Sequence, residues 1–458
     1  MKKFVVIGGG ISGLTVAFEL SKSGIDRDDL LVLEERDTPG GNLCTKQKDG
    51  YLLETGPNGF LDNSPPTLDL VNRLGLNDEL LKSNETSSIR FLFARGKLRK
   101  VPTGPLGMLT SGILPLGGAL RVFGEPLIKK GDHPEESVFN FAARRIGKAA
   151  AATMVDAMVS GVFAGDAKKL ELAAAFPKMA AMESKYGGLV KAMIALKMQR
   201  KKESKASGNP SGPGGRLTSF KGGFQTLPAK IAQKLSGCVR CNCGVISVKK
   251  NDLGYQVVLK DGSRIDAQNI ILACPAWAAA QILSELDNDL SNELKQIPSS
   301  TITVVATAYK TDDFKNKLRG FGLLVPRNED VKILGCLWTS SIWNNRAPRN
   351  RVLLRTMIGG MHDFEAIKMS DGEILALTAT DLKKTMDLNA APISSHIFRH
   401  PKGISQYLPG HTKRLKKIDA LLKKHSGLLL SGSSYKGISV NHCIAEATQI
   451  AQKAIKLE

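Results

Sequence analysis

The sequence predicts an α/β and α+β chain in three parts: a Rossmann-like nucleotide-binding domain, a mixed-sheet domain and a mostly helical domain. Three observations carry this. The apolar run Phe4–Ile7, a glycine turn, the helix-spaced stretch Ser12–Leu20 and a second apolar run, Leu30–Leu33, follow one another in the order of a βαβ unit. From Ser137 to Leu196, Ala, Met and Leu recur at helical spacing. Further on, short strand-like runs separated by turn residues dominate.

Each element has its own reason. Phe4–Ile7 and Leu30–Leu33 are short and wholly apolar, as buried parallel strands are. Val101–Lys130 is apolar but broken by Pro102, Gly104, Pro105, Pro115 and Pro126, which excludes one long helix. A Gly/Pro/Ser-rich stretch at 207–215 has the composition of a flexible loop and marks a boundary. Strands are expected at Val245–Val248, Gln256–Leu259 and Ile270–Ala273, with Asp261-Gly262 as a hairpin turn. Others are expected at Thr301–Tyr309, Leu334–Thr339, Val352–Ile358 and Gly427–Gly432, the last leading into a helix from about Cys443.

Charge and composition narrow the function. The 458 residues carry 64 Lys+Arg against 43 Asp+Glu, a net charge of +21, which favours anionic partners. Nucleic acid is excluded among these, because aromatic residues are only 5% of the chain and no stacking motif is legible. The seven cysteines are odd in number and sparse, which favours a reducing compartment and the cytoplasm. Gly8-Gly9-Gly10 ends the first apolar run too early for a secretory signal, and no stretch is long enough to span a bilayer. Cys238, Cys241 and Cys243 lack the fourth ligand that zinc requires, and the seven histidines show no metal spacing, so no metal is expected.

The chemistry begins at Gly8-x-Gly10-x-x-Gly13, where a strand turns into a helix. Glycines there permit a tight turn and close approach of a pyrophosphate to the helix N-terminus, a reading that extends to Ile11 and Ser12. Glu34 ends the second strand, where a carboxylate accepts from both adenosine ribose hydroxyls; Glu35 follows it. Gly40-Gly41 comes next, and Leu428–Val440 repeats the order strand, glycine turn, helix start. Together these point to FAD.

The run from Gly8 through Tyr51-Leu52-Leu53-Glu54-Thr55-Gly56-Pro57-Asn58 resembles the FAD-binding start of the amine oxidase and protoporphyrinogen oxidase superfamily. Arg90–Phe93, Gly96–Pro102, Ser160–Asp166, Gly322–Pro326, Gly403–Tyr407 and Gly432–Asn441 resemble the protoporphyrinogen oxidases in particular, over nearly the full length. The resemblance implies a discontinuous FAD-binding domain (1–60, 216–285 and 405–458), a substrate-binding domain (61–90 and 286–404) and a helical, membrane-associated domain (91–206). It adds Gly56, Pro57, Asn58, Val245, Ser439 and Val440 to the cofactor site.

It further implies that Arg90 binds a propionate, that Leu324, Leu337 and Met357 line an apolar slot, and that Gly161 lies by the reacting carbon. The implied reaction oxidises protoporphyrinogen IX in haem biosynthesis, with dioxygen as acceptor. Coproporphyrinogen III stays open as an alternative substrate. An amine oxidase is disfavoured, because the C-terminal segment offers only Tyr435 for an aromatic cage, and a noncatalytic module is disfavoured by the intact glycines. Peripheral contact with an anionic membrane on the cytoplasmic face, and a homodimer, are the expected associations.

Overall fold

A computed structural model describes residues 1–131, 133, 135–203 and 215–457. Except for Gly215, the loop expected at 207–215 lies outside them. The first apolar run forms the strand Lys2–Ile7, flanked in parallel by Leu30–Leu33 on one side and by Arg264–Leu272 on the other. All four residues of Leu30–Leu33 are buried, which is why the run lacks polar alternation. Arg264–Leu272 is long enough to serve two partners on its outer edge. Its first half pairs antiparallel with Gly254–Leu259, and its second half pairs parallel with Leu428–Leu430. The helices Ile11–Lys22 and Val440–Ile455 pack on one face of this sheet. The helices Ala276–Ile282, Asn288–Lys295 and His411–Leu422 cover the other.

A second seven-stranded sheet runs in the order Ser394–Ser405, Ser299–Lys310, Arg351–Gly359, Ile333–Leu337, Gly322–Leu324, Phe91–Ala94, Lys97–Lys100. Its pairs are antiparallel except for Gly322–Leu324 with Phe91–Ala94. The helix Asp371–Met386 packs against its apolar face, started by a capping box between Ser370 and Glu373. The hairpin Phe91–Lys100 extends this sheet, so the helical part begins after Lys100 and not at residue 91.

Between residues 105 and 203 the named elements among the described residues are helices, including a π-helical turn at Ala151–Val155 that leads directly into Asp156–Phe163. A buried ion-pair network ties this part together. Arg145, fully buried, donates to Glu125 Oε1 at 2.8 Å and to the Ile128 carbonyl at 2.9 Å, and lies 3.2 Å from Glu183. Glu125 in turn accepts from the backbone N–H groups of Leu189 and Val190.

Among the element ends that differ from the sequence expectation, two have a local cause or consequence. The last helix starts at Val440 instead of Cys443, because Ser439 Oγ accepts from the His442 N–H and caps it there. The strand expected to reach Thr339 ends at Leu337, and Thr339–Ile342 forms a short helix.

Candidate functional site

Gly8 sits at φ +112°, in a region that favours glycine, and turns the chain from the first strand into the helix beginning at Ile11. Gly13 works differently from its neighbours. A Cβ there would lie 2.0 Å from the Gly8 carbonyl oxygen and 3.0 Å from Ala273 Cβ, so this glycine lets helix and strand touch. It is absent from the cavity wall, and what the structure shows for it is this packing role.

Glu34, 7% exposed, accepts from the Gly9 N–H at 2.7 Å and from the Arg36 N–H at 3.0 Å. The carboxylate therefore braces the glycine turn from beneath. The second glycine pair packs onto the same turn: the Gly40 N–H donates to the Gly9 carbonyl at 2.8 Å. A Cβ on Gly41 would stand 3.2 Å from Gly10 Cα. Gly56 is as tightly placed, its Cβ position lying 2.0 Å from the Asn42 carbonyl oxygen. Side chains at these positions would press on the neighbouring backbone and disturb the cradle.

One cavity of about 1560 Å³ runs from this cradle to the second sheet. Its cradle end is lined by Gly8, Gly10, Ile11, Ser12, Glu34, Glu35, Gly40, Gly41, Val245, Ser439 and Val440. Gly56, Pro57 and Asn58 line it where the two sheets meet, and Arg90, Gly161, Leu324, Leu337 and Met357 line the slot beyond. Every sequence-expected site residue except Gly13 thus borders one continuous space. The cavity's volume is large enough for a dinucleotide and a second ligand side by side.

The slot has a definite chemistry. Ile302, Val304 and Met357 come from the central strands of the second sheet, with Val304 opposite Met357 in the ladder. Leu337 lies opposite Gly322, and Leu324 opposite Gly335. Gly161 belongs to the last turn of Asp156–Phe163, where backbone carbonyls have no intrahelical partner. The Arg90 guanidinium is 5.5 Å from the centre of the Phe321 ring and has no ion-pair partner among the described residues. An apolar slot with a spare cation suits an apolar molecule that bears a carboxylate.

Several lining residues were missed in the sequence. Trp277 lines the wall with Lys402 4.0 Å from its ring centre, and Met154 and Met158 come from the π-helical turn and the helix after it. Arg355 and His400 border the cavity from the second sheet. Arg355 had a visible signal, as the one charged residue in the otherwise uncharged run Val352–Ile358. Two buried donors in this wall, Asn58 Nδ2 and Trp277 Nε1, have no protein partner. Such donors, with the glycine cradle and the helix N-terminus at Ile11, fit a dinucleotide carrying a polar ring system.

No cluster of metal ligands exists among the described residues, and all seven cysteines are free. Burial pushes the thiols of Cys274 and Cys443, both on the cavity wall, up to about 12. They are protonated at neutral pH and are poor nucleophiles.

Residues 11–455 match the family described as flavin containing amine oxidoreductase. The chain is 30% identical to coproporphyrinogen III oxidase of Bacillus subtilis (strain 168), over 99% of this chain and 98% of that one. It is 32% identical to the chloroplastic protoporphyrinogen oxidase of Oryza sativa subsp. japonica, over 98% of this chain and 87% of that one. A crystal structure of a candidate protoporphyrinogen oxidase from Exiguobacterium sp. 255-15 superposes with a TM-score of 0.85. It is 22% identical, over 100% of this chain and 99% of that one. The cofactor of this fold and cradle is FAD. With a family match running almost end to end and full-length relatives at this identity, the chain belongs to the flavin containing amine oxidoreductases, in the group of the protoporphyrinogen and coproporphyrinogen oxidases.

Proposed function

We propose that this protein oxidises protoporphyrinogen IX to protoporphyrin IX, passing electrons through FAD to dioxygen. The overall change removes six electrons and six hydrogens, so three dioxygen molecules become three hydrogen peroxide molecules. The observation that carries the reading is the juxtaposition of the apolar slot, with Arg90 and Gly161 on its wall, and the glycine cradle in one cavity. Bound FAD supplies the hydride acceptor. The chain's own residues supply binding and orientation. Leu324, Leu337, Met357 and Val304 exclude water and hold the flexible apolar macrocycle, while Arg90 takes a propionate. The Gly161 carbonyl, in its helix's last turn, offers an acceptor for a pyrrole N–H.

Coproporphyrinogen III is the second reading, favoured by one observation. The chain covers 98% and 99% of the coproporphyrinogen III oxidases of Bacillus subtilis (strain 168) and Staphylococcus aureus (strain NCTC 8325 / PS 47), against 87% of the rice protoporphyrinogen oxidase. Its two further propionates would also suit the net charge of +21. Turnover of the two porphyrinogens by the purified holoprotein, followed by porphyrin fluorescence, decides between them.

The same proposal includes peripheral attachment to an anionic membrane. Among the described residues no helix is long and apolar enough to cross a membrane. Yet Leu106, Leu116, Leu120, Phe123 and Leu127 are all exposed, Leu106 and Leu127 by more than 80%. They lie on packed neighbouring segments followed by Lys129 and Lys130, the combination that an interfacial surface needs.

A further inference from the structure

The wall where slot and cradle meet carries a cation that neither the nucleotide motifs nor the carboxylate-binding role of Arg90 explains. Arg355 is 8% exposed and borders the cavity. Its Nε donates to the Glu54 carbonyl at 3.1 Å and its Nη2 to the Gly56 carbonyl at 2.6 Å. Among the described residues its Nη1 has no partner, and no carboxylate lies within ion-pair distance of the guanidinium. His400 completes the arrangement: its Nε2–H donates to the intervening Thr55 carbonyl at 2.8 Å. Three successive carbonyls of the loop leading to Pro57 and Asn58 are therefore held by two side chains of the second sheet.

The local charge does not cancel. The one buried carboxylate nearby is Glu54, which accepts from Thr45 Oγ1 at 2.7 Å and from the Phe224 N–H at 2.9 Å. Its ion-pair partner is the fully buried Arg346, at 3.6 Å. Arg346 is otherwise committed to Ser219 Oγ, the Phe220 carbonyl and Asn345 Oδ1. Two guanidiniums thus share one carboxylate, and Arg355 is the one that borders the cavity. Burial draws the Arg355 pKa down to about 10, partly offset by Glu54, so it remains charged at neutral pH. His400 adds no charge, since burial and the neighbouring Arg355 hold its pKa below the ordinary imidazole range.

We infer that Arg355 supplies a fixed, uncompensated positive charge to the flavin-facing wall and thereby raises the reduction potential of the bound FAD. A buried cation without a carboxylate is costly, and the cost is recovered if a negative charge develops beside it. Accepting a hydride would give the flavin two electrons and one proton, and so one more negative charge, while the matching positive charge on the donor leaves as a proton. A cation already fixed in the low-dielectric wall favours that state without reorganisation. Arg355 acts here as a positioning and charge-setting residue; its two carbonyl bonds keep the charge in place.

The inference rests on FAD in the cradle and not on the identity of the substrate. Its test needs no porphyrinogen. The midpoint potential of the bound flavin is measured by anaerobic dye-linked titration in the wild-type holoprotein and in Arg355→Lys, Arg355→Met and Arg355→Gln. FAD affinity is measured in parallel by flavin fluorescence. Arg355→Gln keeps a donor for the Gly56 carbonyl and covers the case in which Arg355→Met does not fold. Loss of the charge is expected to shift the two-electron equilibrium constant at least tenfold toward the oxidised form, about 30 mV, while Arg355→Lys keeps most of the potential. Unchanged potentials in the neutral variants, with or without weaker FAD binding, would reduce Arg355 to a carbonyl clamp and overturn the inference.

Discussion

Gly161 and Leu324 meet across the slot so closely that a Cβ on Gly161 would lie 2.5 Å from Leu324 Cδ2. The two residues come from different parts of the fold, the last turn of a helix and a strand of the second sheet. Their contact sets the local width of the space in which the substrate must lie. Gly161→Ala should force Leu324 into the slot at a cost of about 1–3 kcal/mol. The expected result is a fall of roughly fivefold to a hundredfold in kcat/KM for porphyrinogen, with FAD affinity unchanged. Adding Leu324→Ala should restore part of the loss. Lost FAD binding in Gly161→Ala would instead show that the helix end supports the cradle.

Glu34 braces the glycine turn through the Gly9 and Arg36 N–H groups. Hydrogen bonds to a charged acceptor contribute about 1.5–3 kcal/mol each. Glu34→Ala should weaken FAD binding by tenfold or more, read by fluorescence titration of the apoprotein, while circular dichroism stays native. Unaltered affinity would remove Glu34 from the cofactor site.

Behind the C-terminal turn, Glu446 Oε2 accepts from the Gly432 N–H at 3.0 Å. Burial pushes its carboxyl up to about 7, against a pull downward from that bond. Between the ordinary carboxyl value and 7 the unfolded chain releases this proton while the folded protein keeps it. The native state then binds more protons, and its stability falls as pH rises through this window. The loss should be on the order of 3 kcal/mol in total, at most about 1.4 kcal/mol per pH unit. Denaturant unfolding from pH 4.5 to 8 should show this decline in the wild type and a flatter profile in Glu446→Gln. Parallel profiles would mean that Glu446 titrates normally.

The exposed leucines of the helical part should carry membrane attachment. Vesicles containing anionic lipid should sediment the wild-type protein at low salt, and neutral vesicles should sediment less of it. Replacing Leu116, Leu120 and Leu127 with Ser should reduce binding severalfold without lowering turnover in detergent. Equal sedimentation of variant and wild type would place the contact elsewhere.

Where a residue's role is local, the sequence made it legible. Gly8, Gly10 and Glu34 announce themselves because a strand, a turn and a helix follow one another within a short span, and backbone geometry dictates the residue types. Gly13 was legible as a glycine but not as a packing residue, since only the fold brings Gly8 and Ala273 against it. The edge strand Ser394–Ser405 was hidden by Pro401, which an edge strand tolerates. The helix Asp371–Met386 has its sequence signal in Ser370 and Glu373, a capping pair three residues apart. Arg355 and His400 could not be joined to residues 54–56 from the sequence, because roughly three hundred positions separate them and only sheet register brings them together.

The central claim is that the FAD cradle and the apolar slot together oxidise a porphyrinogen. The most direct measurement is aerobic turnover of protoporphyrinogen IX and of coproporphyrinogen III by purified, FAD-replete protein, with porphyrin fluorescence and peroxide followed together. Porphyrin formation with three peroxides for each porphyrin is the predicted result, with protoporphyrinogen the preferred substrate. A protein that holds FAD yet converts neither porphyrinogen would contradict it.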